Sequence, residues 1–399
     1  MKKFQSAAGP QPRRQSGRAY RAFAWIAAHP RCLSGLISLF AILLSLVAAA
    51  VMLLLLGKNP LAAFLNLLQG AGIVPKSSYA AHKGVLTDLM STVDAWTPML
   101  FAALAVAVAL RAGLFNIGVS GQMLASGFVA TAVVGYLPLA PGVAKPLVLL
   151  VGLVVGAAVG AFIGWLKYRF NVNEVVSSIM LNYIVQYIVS FCITTYYINP
   201  VSRQSRYVSA ASRLTLEDVP LGGLQIALPL AAVLAVAVAF VIRFLLDRTR
   251  LGFEMKTVGH NRLAAQYAGI HVGCNLVVSM LLSGGLSGLA GVSYYLGYYG
   301  SIQPRVLTSV GFDAIAVSLL GNSHPIGILF ASFLITVITK GSVYMSSMQG
   351  VRQEIASVIT GLILLFSACA AFFRYLFDRS VRNLREKAGV QAEEERERT

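Results

Sequence analysis

Two tetrapeptides, GVSG at 118–121 and GLSG at 285–288, set a serine among glycines in an otherwise apolar chain. Intramembrane serine proteases use this pattern around a nucleophile, which needs a base, usually histidine, within hydrogen-bond reach. The five histidines, His29, His82, His260, His271 and His324, all lie outside the middles of the apolar runs. Neither Ser120 nor Ser287 therefore has such a base at its own depth, and small residues there serve close helix packing instead. No GxxxxGK[ST] phosphate loop and no HExxH metal motif occurs, and the four cysteines form no CxxC pair. The chain encodes neither ATP binding by a phosphate loop nor a metal or disulfide framework.

A second group of residues is polar without being nucleophilic. Asn116, Ser120 and Gln122 fall in ALRAGLFNIGVSGQML (109–124), Asn173 and Glu174 open a later apolar run, Asn182 lies inside that run, and Asp313 begins a short one. Polar groups at membrane depth face a bundle interior or an aqueous path, so these seven are candidates for lining a substrate pathway. Asn182 also suits a hydrogen bond between helices, and Asp313 suits the electropositive start of its own helix. Interrupted or half-length helices in both halves of a bundle are how transporters present backbone groups to cargo. FNIGVSGQ (115–122) and SVGFDAIAVSLLGN (309–322) have that form.

The elements that must hold these residues follow from composition. Of 399 residues, 57% are hydrophobic and 12% charged, and the mean hydropathy is +0.73, far from the one-quarter charged content of a soluble domain. The sequence predicts an all-α, polytopic membrane bundle of about ten spans, some short or broken. The apolar runs cover 34–56, 95–110, 117–137, 144–166, 175–198, 225–246, 275–297, 311–321, 325–345 and 354–377. The run at 311–321 is too short to span unaided. A basic leader (1–33) precedes this membrane domain (34–377), and a charged tail (378–399), expected to be disordered, follows it. Seven basic and no acidic residues in the leader place the N-terminus in the cytoplasm, and ten spans return the C-terminus there. Threaded so, inner segments carry 22 of the 32 lysines and arginines and outer loops 9. The net charge of +17 then reflects basic flanks on an anionic leaflet, not a nucleic-acid partner.

Gly152, Gly156, Gly160 and Gly164 recur every fourth residue, and Gly284, Gly288 and Gly291 form a second small-residue stripe; both predict close helix contact. The loop Asp247 to Asn275 should contain one short helix, capped by His260 or Asn261 and stopped by Gly269, which would make a docking element. Tyr294, Tyr295, Tyr298 and Tyr299 suggest an interfacial aromatic belt.

Four segments in order, LRAGLFNIGVSGQM (110–123), NEVVSSIMLNYI (173–184), GHNRLAAQYAGI (259–270) and GFDAIAVSLLGNSHPIGI (311–328), resemble the permease subunits of bacterial ABC importers for simple sugars and nucleosides, from about Leu61 to Phe373. NEVVSSIMLNYI with FNIG resembles the nucleoside branch. The resemblance implies a multi-pass permease in the bacterial cytoplasmic membrane that binds no cofactor itself. Its partners would be a cytoplasmic ATPase carrying ATP and Mg, a second, related permease chain, and an extracytoplasmic binding protein or lipoprotein, all amid membrane lipid. Glu254, Gly259, Asn261, Ala264, Ala265, Ala268 and Gly269 would then form the ATPase-coupling segment. Where members of that branch commonly carry an acid, this chain has Ser120.

Overall fold

The computed structural model describes residues 30–369 except 222, 351 and 353, together with 372, 375, 376, 379 and 380. The leader at 1–29 and nearly all of the 378–399 tail lie outside the described residues. Residues 48–364 form one compact unit, and every contact below lies within it.

The chain runs through α1 (Pro30–Leu55), α2 (Pro60–Gly70), α3 (Val85–Arg111), α4 (Val119–Ala130), α5 (Pro141–Phe170), α6 (Glu174–Cys192), β1 (Thr215–Leu221), β2 (Leu224–Pro229) and α7 (Leu230–Arg248). It continues through α8 (Arg250–His260), α9 (Arg262–Tyr267), α10 (Val272–Val292), α11 (Val310–Leu320), α12 (Pro325–Gln349) and α13 (Glu354–Ala368). Wide π turns extend α4 over Thr131–Gly135, α6 over Ile193–Tyr197 and α10 over Ser293–Tyr299.

Each apolar run falls on a helix, but six helices among the described residues are long and apolar enough to span, or seven if the bent pair α1 and α2 counts as one. Of the ten runs, six therefore lie on helices of spanning length, the first lies on the bent pair, and the last extends past the described residues. α4 with its π turn and the 11-residue α11 are the short helices. The run expected from 225 begins later, because residues 224–229 pair with 215–221 as an antiparallel hairpin and the helix starts only after Pro229. That hairpin, with an isolated antiparallel bridge between Ile198 and Ser205, is the departure from an all-α chain among the described residues.

The centre of the bundle is α3 and α10, whose most apolar stretches are 83% and 78% buried, against 33% for α5, α6 and α7. Helices whose apolar surface is mostly uncovered in the chain itself face lipid. The two glycine stripes meet each other. A Cβ on Gly156 would strike the Gly284 carbonyl oxygen, one on Gly284 the Gly156 carbonyl, one on Gly288 the Gly152 carbonyl, and one on Gly160 the Met280 carbonyl. α5 and α10 therefore touch backbone to backbone, which maximises van der Waals contact where lipid offers no hydrophobic force between helices. Gly291 continues the stripe onto α4, against the Met123 carbonyl.

The tyrosines at 294–299 are a packed cluster: the Tyr294 and Tyr299 rings lie 4.9 Å apart, Tyr298 and Tyr299 4.8 Å, and Tyr295 is buried. Of these four, Tyr299 alone is exposed as an interfacial belt requires.

Because no side chain separates Gly156 from the α10 backbone, Gly156→Leu should lower the thermal unfolding midpoint in detergent by an amount equivalent to about 1–3 kcal/mol, the usual cost of overpacking. Gly142→Ala, on the same helix but facing open space, should leave the midpoint unchanged.

Candidate functional site

α3 ends at Arg111, and Gly113, at φ +68°, turns the chain out of the helix. Residues between α3 and α4 cannot satisfy their backbone groups within a helix, and at membrane depth those groups must find protein partners. Asn116 supplies several. Its Oδ1 accepts from the Gly118 N–H (2.9 Å), and its Nδ2 donates to Gln122 Oε1 (3.0 Å) and Ser283 Oγ (2.8 Å). Ser283 passes its own proton to the Ala105 carbonyl at 2.7 Å, which ties the break to both central helices. Asn182 of α6 closes the other side: it accepts from the Gly121 N–H (2.9 Å) and donates to the Ile117 carbonyl (3.0 Å). A Cβ on Gly121 would crowd the Asn182 backbone, so glycine is required for this approach.

Ser120 donates to the Thr308 carbonyl at 2.9 Å, and Gly311 of α11 packs on it so closely that a Cβ there would strike the hydroxyl. Ser287 donates to the Ser283 carbonyl at 2.9 Å. Both serines of the GxSG tetrapeptides thus spend their protons on backbone carbonyls. An ionised acid at position 120 could not make the Thr308 bond, which needs a donor.

Asn116, Ser120, Gln122 and Asn182 are therefore brought together around the start of α4, each at most 2% exposed. Asp313, half-buried in the first turn of α11, lies two residues beyond the glycine that covers Ser120. Asn173 and Glu174 sit apart from this group. Asn173 caps α6 by accepting from the Val175 N–H at 2.9 Å, and Glu174 pairs with Lys167 at 3.0 Å. About eight residues of helix, roughly 12 Å, separate them from Asn182.

The 247–275 segment holds two helices, α8 and α9, where the sequence predicts one. α9 matches that prediction: Asn261 caps it by accepting from the Ala264 N–H (3.1 Å), and Gly269 ends it at φ +79°. Ala265 is fully buried, while Ala264, Ala268, Leu263 and Tyr267 are exposed. Gly259 contacts the bundle: a Cβ there would strike the Arg111 carbonyl, and Arg262 donates to the Gly113 carbonyl at 3.3 Å. Arg111 in turn donates from Nε to the Ser323 carbonyl (3.0 Å) and from Nη2 to the Asn322 carbonyl (3.4 Å), just after α11. One short stretch, 111–113, thus joins the loop helices to both interrupted segments.

At the opposite end of α3 lies a polar group that sequence reasoning missed. Thr215 of β1 donates to Asp94 Oδ1 (2.8 Å), buried Arg213 donates to the Gly297 carbonyl (2.8 Å) and pairs with Glu217 at 2.5 Å, and Lys340 Nζ donates to Tyr298 OH at 2.6 Å. An acid just ahead of the second apolar run and a lysine within the ninth were the available signals. Arg213, joined to a residue 84 positions away, gave none.

Residues 91–368 match the family described as the branched-chain amino acid transport system permease component. The chain belongs to this permease family. It is 32% identical over 340 residues to the nucleoside ABC transporter permease protein NupB of Lactococcus lactis, covering 84% of this chain and 90% of the relative. It is 33% identical over 348 residues to the guanosine ABC transporter permease protein NupP of Bacillus subtilis, covering 86% and 96%. The glucose ABC transporter permease protein TsgB13 of Haloferax volcanii is 29% identical over 340 residues, covering 84% and 87%. With six helices among the described residues long and apolar enough to cross a membrane, this permease is a multi-pass membrane protein.

Asn182→Ala should strand the Gly121 N–H and the Ile117 carbonyl and lower the unfolding midpoint by the equivalent of about 1–3 kcal/mol; an unchanged midpoint would show that this amide does not hold α4. A second expectation concerns Glu254, whose carboxyl is held below the usual carboxylate range first by the Asn275 Nδ2 bond (3.0 Å) and then by Arg250 Nε (2.7 Å). A folded carboxyl more acidic than its unfolded counterpart stabilises above the unfolded pKa, and the gain is lost as pH falls through the folded value. Thermal melts between pH 7 and about pH 3 should therefore show a smaller acid-induced loss in Glu254→Gln than in the wild-type chain.

Proposed function

We propose that the chain is the permease subunit of an ATP-driven ABC importer in a bacterial cytoplasmic membrane and that its cargo is a nucleoside, purine-type in particular. The observation that carries this reading is the similarity, across nearly the whole of both chains, to permeases named for nucleoside and guanosine transport. The weaker likeness to a glucose permease makes a simple sugar the competing cargo.

The permease performs no covalent step. ATP and Mg belong to a separate cytoplasmic ATPase, for which α9 is the docking element: Leu263 and Tyr267 are 69% and 93% exposed, too apolar for a surface with no partner. Within the coupling set, Ala264 and Ala268 meet the ATPase. Asn261, Ala265 and Gly269 shape α9, and Glu254 and Gly259 fasten α8 to the bundle. NupC of L. lactis and NupQ of B. subtilis are also related to this chain, at 27% and 26% identity, so each organism holds two matching permeases. That supports a second, different permease as the partner across the pathway. An extracytoplasmic binding protein or lipoprotein delivers the cargo.

Asn116, Ser120, Gln122, Asn182 and Asp313 border the pathway, with Asn173 and Glu174 at its inner end. Their internal bonds must open before cargo can use them, so the interrupted segments at 112–118 and 309–324 move during the cycle. Cargo and ATP act by binding the two states unequally.

The test is co-expression with the neighbouring genes. The chain should co-purify with an ATPase, and Leu263→Asp with Tyr267→Asp should reduce that recovery by about tenfold or more, as loss of aromatic interface anchors does. The neighbouring receptor should bind purine nucleosides, and uptake should need ATP. Uptake by this chain alone on an ion gradient would sink the ABC reading, and a receptor that binds only sugars, or only branched-chain amino acids, would sink the nucleoside cargo alone.

A further inference from the structure

A cavity of about 780 Å³ opens between the end of α5, α9 and the start of α10. Its charged lining has one sign: Lys167 and Arg262 reach it, beside the His271 imidazole, and among the described residues no Asp or Glu does. The volume suits a small anionic group rather than a structural water. Lys167 is shared with Glu174, which leaves Arg262 as the principal cation, its guanidinium otherwise donating to the Gly113 carbonyl.

The depth of the cavity is marked by its wall. Trp165 and Tyr168 line it and are 45% and 59% exposed. Trp165 belongs to an exposed aromatic group, its ring 6.0 Å from Phe162 and 5.3 Å from Phe170, while Arg169 stands 5.6 Å from the Phe170 ring. Exposed tryptophan and tyrosine beside cations is the signature of the headgroup level of a bilayer. Gly273 fixes the wall, since a Cβ there would run into the Tyr168 ring. Arg262 and Gln266, one turn apart on α9, line the cavity, and Leu263 and Tyr267, equally exposed, do not.

We propose that this cavity binds the phosphate-bearing headgroup of an anionic phospholipid, with Arg262 and Lys167 on the phosphate and the acyl chains passing Trp165 and Phe162. Basic pockets between membrane helices at the cytoplasmic face take such headgroups. A soluble phosphate shares the chemistry, and the aromatic wall selects the lipid. The inference rests on the importer reading only in assigning this end of the bundle to the inner leaflet.

The test uses the full chain carrying Trp25→Phe and Trp96→Phe, so that Trp165 is the sole tryptophan, in nanodiscs with matched fractions of brominated phosphatidylglycerol or brominated phosphatidylcholine. Brominated phosphatidylglycerol should quench Trp165 more strongly, with an apparent preference of about fivefold per basic side chain. Arg262→Gln should lower that preference by about fivefold and Arg262→Lys should retain most of it, with a thermal melt confirming that each variant is folded. Equal quenching by the two lipids overturns the proposal, as does a preference unchanged in Arg262→Gln. Loss of the preference on adding inorganic phosphate also overturns it, because the site then takes a soluble anion. Cys274, an exposed thiol lining the same cavity, separates this from the importer reading. With the other cysteines replaced by serine, an impermeant maleimide should reach it only from the cytoplasmic side. Labelling from outside would refute the assigned topology and leave the lipid result standing.

Discussion

The backbone contact between α5 and α10 is the constraint on which the rest of the structure depends. Gly156 and Gly160 meet the backbone of the other helix directly, and Gly152 and Gly164 at the two ends receive the Val292 and Met280 side chains, so the pair is fitted in one register. α10 fixed in this way carries Ser283 to the interrupted segment, Asn275 to Glu254 and the π turn to Arg213, two residues ahead of the hairpin. Even the break between α3 and α4 is referenced to it, because Gly291 packs on the Met123 backbone. In a bilayer, where apolar burial does not hold helices together, such contact and hydrogen bonds carry most of the specificity.

Polar groups in this bundle obey the same economy. Asn116 serves three partners, Asn182 two, and Ser120, Ser126, Ser283 and Ser287 each donate to a backbone carbonyl. An unmet donor in hydrocarbon costs several kcal/mol, which explains why the buried polar side chains at the interruption are each held by a partner. The same residues that make the break tolerable are those that must exchange partners if it moves.

Much of this was legible in the sequence, for identifiable reasons. Apolar length located the six helices of spanning length, and the glycine spacing marked α5 and α10 as closely packed helices, because both signals are local; that the two stripes meet each other was not written there. α9 was legible from Asn261 and Gly269, since capping chemistry is written within a few residues. The hairpin was not: TLEDVPL has no alternation, and its pairing with LQIALP hides in what reads as the entry to a span. The gathering of Asn116 with Asn182 and the separation of Asn173 were also illegible, because both depend on how α6 leans across α4. Arg213, Thr215 and Asp94 meet only through long-range packing, which no motif records.

The junction at 111–113 has a further implication. Gly259 rests on the Arg111 carbonyl, Arg262 holds the Gly113 carbonyl, and the Arg111 guanidinium holds the turn at Asn322 and Ser323, whose backbones are themselves wound left-handed at φ +54° and +48°. Three consecutive residues thus touch the loop helices and both half-helices at once, so a change of backbone angle at 111–113 would have to be absorbed in three elements together.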